Sequence, residues 1–352
     1  MLHASISRFN DDLLTEILLR LPAASILRFK SVSKHRRLLL SQKHFTQRYD
    51  QISKSPTGLI ATDIYVPFDV ENPSTPPFRC LDLYFDRPGV EIVQSCNGLL
   101  LCVTRPKGHN GACKYYVFNP TTKQLALIPP VPRDCSAICF MGLAFHQTDC
   151  VRYKVICVLF VGPHVDSYQI QVYSSDTKEW KISIESFSAS LPIIRHVVYW
   201  NGAVYWASFC DNRNYWYFKI DDQQLHTLPL PLGLIPSKVV TKYLGESRVA
   251  YKKFQGGMLR LKVYEMLSDH SGWFVKYQLQ LNAISKYGPH YALQVMDVVR
   301  GEEEEDTFLV LKTLDKIITY NVLEKSCKQI YRTLTRYCRS SFYRYTETLS
   351  SF

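Results

Sequence analysis

Cysteine and histidine are the residues in this sequence best suited to metal binding, redox chemistry or nucleophilic attack, and their spacing decides whether they do any of it. The eleven cysteines stand at Cys80, Cys96, Cys102, Cys113, Cys135, Cys139, Cys150, Cys157, Cys210, Cys327 and Cys338. None forms a Cys-x-x-Cys pair, and no paired cysteines lie near a His-x-x-x-His spacing, so a structural zinc site is not expected. Cys102, Cys139 and Cys157 sit inside apolar runs, where a thiol behaves as a small hydrophobe. Buried, reduced thiols are the expectation. His146, His164, His196, His226, His270 and His290 fall in different segments, mostly in or beside turns. Solvated loop histidines are the simple reading, and a composite metal site built by converging loops is the alternative. The sequence has no Walker A loop, no Gly-x-Ser-x-Gly, no His-Glu-x-x-His and no dinucleotide fingerprint. No catalytic residue, metal or cofactor is assigned.

Side chains that do no chemistry have to be explained by the elements that carry them. Residues 9–49 read FNDDLLTEILLRLPAASILRFKSVSKHRRLLLSQKHFTQRY. Asn10 suits a helix N-cap, Phe9 and Leu14 a hydrophobic staple, and Asp11 and Asp12 the positive end of the helix dipole. Leu13, Leu14, Ile17, Leu18 and Leu21 recur at helical spacing, and Pro22 stops the ladder. Ile26, Leu27, Phe29 and Val32 follow, then Leu38, Leu39, Leu40 and Phe45 beyond the basic Lys34 to Arg37. About forty residues of short helices cannot bury so much apolar surface alone. Part of it is expected to meet a partner.

These residues resemble the F-box, the module that binds the SKP1 subunit of SCF ubiquitin ligases. The match runs over Asp12 to Leu19, Arg20 to Pro22, Leu27 to Lys30 and Val32 to Lys34, while Phe9-Asn10 replaces the usual Leu-Pro and Arg36 the usual Trp. The resemblance implies SKP1 contacts from Phe9, Leu13, Leu14, Ile17, Leu18, Leu21, Pro22, Ile26, Leu27 and Val32.

The chain of 352 residues is long enough for two domains, and 46% hydrophobic residues suits a packed core. No apolar run approaches the roughly 20 residues of a membrane span, and Met1 to Asn10 lacks the apolar core of a secretory signal. A soluble protein of the cytoplasm, the nucleus or both is the expectation. The net charge of +11 is spread along the chain, concentrated only at Lys34 to Arg37 and around Arg332, Arg336, Arg339 and Arg344, so nucleic acid is not expected as a partner. The acidic run Glu302 to Asp306 reads as a solvated loop.

After residues 51–57, read as a linker, the chain turns to segments rich in Val, Ile, Tyr, Phe and Trp. A strand, polar turn, strand unit recurs at Lys114 to Pro129, Tyr168 to Ser183, Tyr215 to Leu230, Arg260 to Tyr277 and Lys316 to Tyr331. Corresponding residues Phe118, Tyr173, Lys219, Tyr264 and Tyr320 are 55, 46, 45 and 56 positions apart, which is repeat spacing. A second strand pair precedes each unit, twice around the type I′ hairpin words Asn97-Gly98 and Asn201-Gly202. The others are Ile138 to Phe145 with Tyr153 to Val161, Lys238 to Leu244 with Arg248 to Phe254, and Tyr291 to Val299 with Thr307 to Lys312. Five four-stranded meanders with two apolar faces each are stable when packed radially, as in a β-propeller. Leu59 to Val66, Arg79 to Phe85 and Ser341 to Thr348 remain to build a closing blade from both termini. Six blades are favoured, seven being the alternative, and a large β-sandwich the competing architecture.

Ser95-Cys96-Asn97-Gly98-Leu99, Asn119-Pro120-Thr121-Thr122-Lys123 and Trp200-Asn201-Gly202 are similar to the plant F-box-associated domain, a kelch-related propeller, over roughly Gly58 to Phe352. The two resemblances together imply a small all-α F-box domain at residues 6–50 and an all-β propeller at 58–352. They further imply a non-catalytic substrate receptor of an SCF-type E3 ligase, joined through a SKP1-like adaptor to the cullin-RING machinery. Loops on a rigid scaffold usually carry recognition, and Arg and Tyr dominate hot spots. Arg105, Lys107, His109, His164, Arg213, Tyr215 and Tyr287 are therefore the candidates for contact with a protein substrate. A non-degradative F-box protein with weakened SKP1 binding is one alternative. A glycan-active propeller is the other, although Asp176 and Trp180 match an Asp-box in neither its Gly nor its spacing.

Overall fold

The computed structural model describes residues 11–351 except 53–54, 87, 107–111, 133–137, 149, 163–166, 189–193, 209–213, 230, 232–243, 246–247, 256–257, 282–283, 285–286, 288–292, 302 and 333–340. The helical lobe comprises α1 (residues 11–18), α2 (Ala23–Phe29), α3 (Lys34–Ser41) and α4 (Lys43–Ile52). Phe9 and Asn10, with the expected staple and cap, lie outside the described residues. Pro22 does more than stop α1. Extended at φ −56° and ψ 146°, it is also the N-cap of α2. Ser33 caps α3, its hydroxyl accepting from the Arg36 amide at 3.2 Å. α4 runs to Ile52, two residues past the expected limit, and keeps Phe45, Tyr49 and Asp50 buried along one side. Among the described residues, no helix is long and apolar enough to cross a membrane.

Five antiparallel meanders follow, consistent with a propeller. The first sheet is β3 (Val90–Cys96), β4 (Leu99–Thr104), β5 (Lys114–Asn119) and β6 (Gln124–Leu127). The second is β7 (Ile138–His146), β8 (Cys150–Phe160), β9 (Ser167–Ser174) and β10 (Glu179–Ser188). β11 (Ile194–Trp200), β12 (Ala203–Ser208), β13 (Asn214–Lys219) and β14 (Leu225–Pro229) form the third. β15 (Leu244–Gly245), β16 (Arg248–Gln255), β17 (Met258–Met266) and β18 (Trp273–Gln280) form the fourth. The fifth is β19 (Gln294–Val299), β20 (Phe308–Lys312), β21 (Lys316–Asn321) and β22 (Cys327–Arg332). The expected first strand of the fourth sheet is described only at Leu244–Gly245, since residues 238–243 lie outside the described set.

Burial explains why these segments read as they do. All six residues of β4 are buried, so a continuous apolar run is needed, whereas the last strand β6 is mostly exposed and mixed in character. Asn97 and Gly98 take φ of 46° and 92°, and Asn201 and Gly202 take 47° and 74°, the left-handed pair that a type I′ hairpin requires. Each asparagine also ties its sheet to the next. The Asn97 side-chain amide donates to Phe145 O at 2.7 Å and that of Asn201 to Ser268 O at 2.9 Å. Buried Gln94 binds Leu143 in both directions, donating to its carbonyl at 3.0 Å and accepting from its amide at 2.7 Å.

A three-stranded sheet lies between the fifth and first sheets and draws on both ends of the chain. Its central strand β1 (Gly58–Ile60) pairs with β2 (Tyr65–Pro67) and with β23 (Tyr343–Tyr345). Arg79 to Phe85 does not join it. Residues Leu81–Tyr84 instead form a 3₁₀ turn, held by the Leu81 amide on Thr62 O at 2.8 Å and by Asp82, which accepts from the amides of Gly89 and Val90. Ser341 to Thr348 contributes only its middle, and from residue 346 the chain leaves the sheet for the helices.

Candidate functional site

α1 and the turn after it carry two apolar stripes because six of the nine residues from Leu13 to Leu21 are Leu or Ile. Leu14, Leu18 and Leu21 face inward with Leu19, Ala23, Ile26, Leu40, Phe45 and Tyr49. The second stripe has no cover among the described residues: Leu13 and Ile17, one turn apart, are 56% and 54% exposed, and Val32 and Leu38 are 61% and 69% exposed. His35 Nε2 lies 3.0 Å from Asp11 Oδ1, which brings the start of α3 beside the start of α1 and sets Val32 at the same end of the lobe as Leu13. The Arg36 guanidinium stands over the Phe29 ring at 5.5 Å, so it covers an aromatic face where a Trp was expected.

The β domain has two unlike ends. Turns between first and second and between third and fourth strands lie at one end, and loops between second and third strands at the other. At the turn end of the first sheet, Asn119 Oδ1 accepts from the amides of Thr121 and Thr122, the tight turn expected of Asn-Pro-Thr-Thr. This end also receives the helices. Asp50 of α4, 2% exposed, accepts from Thr348 Oγ1 at 2.7 Å, Ser350 Oγ at 2.7 Å and the Leu349 amide at 2.9 Å. Burial raises the pKa of Asp50, and those hydrogen bonds oppose part of the rise. The loop end of the first sheet therefore points away from the helical lobe. Phe160, Tyr168, Phe187 and Trp216 form a row there across the second and third sheets, with successive ring centroids 5.9, 5.7 and 6.0 Å apart.

Two family models match this chain: the F-box domain over residues 6–47 and the F-box associated beta propeller domain over residues 66–282. The chain belongs to the F-box proteins with an associated propeller. Over 382 aligned positions it is 28% identical to the Arabidopsis thaliana F-box protein At5g07610, covering 96% of this chain and 90% of that one. The Arabidopsis thaliana F-box protein At5g49610 is 34% identical over 215 positions, covering 56% of this chain and 58% of its own length. Among solved structures, a Lactobacillus plantarum protein overlaps at a TM-score of 0.36 and 15% identity over 66% of this chain and 65% of that one, too little to carry an argument.

Within the F-box, the residues implied as adaptor contacts divide. Leu13, Ile17, Pro22 and Val32 are exposed, and Leu14, Leu21 and Leu27 are half-buried against the bundle. Leu18 and Ile26, at 1% and 0% exposure, are spent on the F-box's own core. Phe9 is outside the described residues, and Leu38 joins the exposed set without having been named. Of the loop candidates, Lys107, His109, His164 and Arg213 lie outside the described residues, as does the side chain of Tyr215. Arg105 is exposed and paired to Glu91 at 3.1 Å. Tyr287 is half-buried, its hydroxyl donating to Cys327 O at 3.3 Å, so it serves packing beside the fifth sheet.

Cys135, Cys210, Cys338, His290 and the side chain of His196 lie outside the described residues, and several of the other thiols and histidines take structural places. Cys102 and Cys157 are buried, and burial pushes both thiols up, but Cys139 is exposed, at the irregularity in β7 between Ile138 and Phe140. His226 and His270 each stack on Tyr217 at 5.0 Å, and Tyr205 shares a hydrogen bond with His270 Nε2. Burial, with Lys219 nearby, lowers the pKa of His270. Among the described residues, no three His, Cys, Asp or Glu side chains gather as a metal site would require. The aromatic row and Asp50 were missed by sequence reasoning. Aromatics at strand ends were the available signal for the first; nothing distinguishes Asp50 from any other polar helix residue.

Proposed function

We infer that this F-box protein is the substrate-recognition subunit of an SCF-type E3 ubiquitin ligase, holding SKP1 with its helices and a protein substrate with the loop end of its propeller. F-box proteins in general are adaptors without catalytic activity of their own, and the chemistry belongs to the conjugating enzyme brought to the complex. This chain then supplies proximity and orientation. The observation that carries the reading is the bare second stripe of α1. A packed bundle that leaves Leu13 and Ile17 more than half exposed has surface to give to a partner, and covering one such side chain is worth roughly 2 kcal/mol. The loop end of the first sheet faces away from the helical lobe, which suits a substrate held clear of the adaptor.

The direct test is co-purification with SKP1. The double variant Leu13→Glu, Ile17→Glu keeps the buried stripe intact, so it is expected to fold, as judged by circular dichroism, and to lose SKP1. Capture at the wild-type level would overturn the reading. Failure of the wild-type chain to capture SKP1 would favour a non-degradative interaction protein, the reading suggested by Arg36 standing in for Trp. The stacking of Arg36 on Phe29 argues that this position is accommodated. Proximity labelling with the proteasome inhibited is the route to the substrate.

A further inference from the structure

We propose that residues 346–351 act as a strap that locks the F-box helices to the first propeller sheet, so that the two parts of the chain move as one rigid body. The strap is fastened on both sides. On the helical side, Leu349 is 1% exposed inside the F-box core, and Asp50 takes hydrogen bonds from three consecutive strap residues. Glu347 Oε2 accepts from the Ala23 amide at 3.1 Å, at the start of α2 where Pro22 offers no side-chain cap, and from Tyr49 Oη at 3.5 Å. On the sheet side, the Asn119 side-chain amide donates to Thr348 O at 3.2 Å and Ser350 O at 2.9 Å. Thr121 Oγ1 accepts from the Thr348 amide at 3.3 Å and bonds Tyr345 Oη at 2.9 Å. Gly98, at φ +92°, leaves room for the strap: a Cβ there would stand 2.5 Å from Thr348 Cγ2 and 2.7 Å from Thr346 O.

A single covalent linker would leave a hinge between F-box and propeller. Here two segments cross, the linker after Ile52 and the strap, and they are bonded to each other where they enter the β domain, the Thr57 amide donating to Tyr345 O at 2.9 Å. Two crossings joined side by side resist both bending and rotation. The strap meets the inward stripe of the helices and leaves Leu13 and Ile17 bare, so it does not compete with an adaptor on that stripe. Under the ligase reading above, on which this consequence rests, Asp50 and Leu349 are positioning residues: they set how far, and in which direction, a bound substrate stands from the adaptor.

Solution scattering and hydrogen exchange on the full chain test the strap without SKP1 or substrate. Leu349→Asp puts a carboxylate into the F-box core and is expected to enlarge the maximum dimension and the radius of gyration, whereas Leu349→Met leaves both at the wild-type values. A Leu349→Asp scattering curve superimposable on wild type would overturn the proposal. In the wild-type chain, the amides of Ala23, Thr348 and Leu349 are expected to be protected at least about a hundredfold against exchange. Exchange of all three at unprotected rates would overturn it even if the variant failed to fold. SKP1 capture by the wild-type chain is a separate measurement: its failure would sink the ligase reading and leave the strap standing.

Discussion

Asp50 is a carboxylate placed where ionisation is costly, and its environment gives the helical lobe a pH dependence of definite sign. Because burial raises its pKa in the folded protein, the folded state holds the proton more tightly than the unfolded chain does. The stabilisation is fully present below the ordinary carboxylate value and is lost as pH rises through the raised one. Both hydroxyls can reverse their roles, so a protonated Asp50 donates to Thr348 or Ser350 while Oδ1 still accepts from the Leu349 amide. Lowering the pH from neutrality toward the ordinary carboxylate value is therefore expected to slow exchange of the Leu349 amide, after correction for the intrinsic rate. Asp50→Asn should flatten that dependence. Glu347 faces the same helices, so the slope is to be compared with that of Glu347→Gln. A slope that survives Asp50→Asn and disappears in Glu347→Gln would move the effect to the neighbour.

The sheets share a turn device that no residue word announces. Lys123, Lys178, Gln223, His270 and Lys325 all take φ between 55° and 64°, one at the third turn of each four-stranded sheet. A residue with a Cβ pays roughly 1 kcal/mol or more for the left-handed region, and glycine does not. Lys178→Gly is thus expected to raise stability by up to about 1 kcal/mol, measured as a shift of the denaturant midpoint with the slope unchanged. A destabilised variant would mean that the Lys178 side chain makes up the difference. Elements with their own chemical words were legible from sequence: the Asn-Gly hairpins, the Asn-Pro-Thr-Thr turn and the five repeats they punctuate. Arg79 to Phe85 was not, because its Leu81, Leu83 and Phe85 alternate like a strand, and the bonds that make a turn of it, Leu81 to Thr62 and Asp82 to Gly89 and Val90, reach across the sequence. On α1 both stripes are periodic, so spacing could not tell Leu18, which faces the core, from Ile17, which does not. The strap, Thr346-Glu347-Thr348-Leu349-Ser350-Ser351, carries one apolar residue and no signal of its own.

For the whole molecule, the decisive contact joins the terminal strand β23 to the fifth sheet. Arg344 binds Asp297 through two nitrogens, Nε to Oδ2 at 2.8 Å and Nη2 to Oδ1 at 2.5 Å, and also reaches Val298 O at 3.2 Å. On the other side the Arg344 carbonyl accepts from Ser95 Oγ at 2.6 Å, so one residue spans the junction of fifth and first sheets. Removing the arginine leaves Asp297 buried without its cation, at a cost of about 3 kcal/mol, the low end of the range since Arg344 is still 21% exposed. Arg344→Ala is expected to lower the melting temperature of the entire β domain in a single transition. A second, separate transition confined to the fifth sheet would refute the view that both termini close one cooperative unit. The strap also orders events in time. Asp50 leaves the ribosome 299 residues before Leu349, an interval of about 15–60 s at ordinary rates of synthesis. Throughout that interval the helices have an unfilled slot in their core, and only a chain translated past Leu349 can fill it. A chain that stops short of Leu349 thus keeps an apolar cleft in its helical lobe for chaperones to hold.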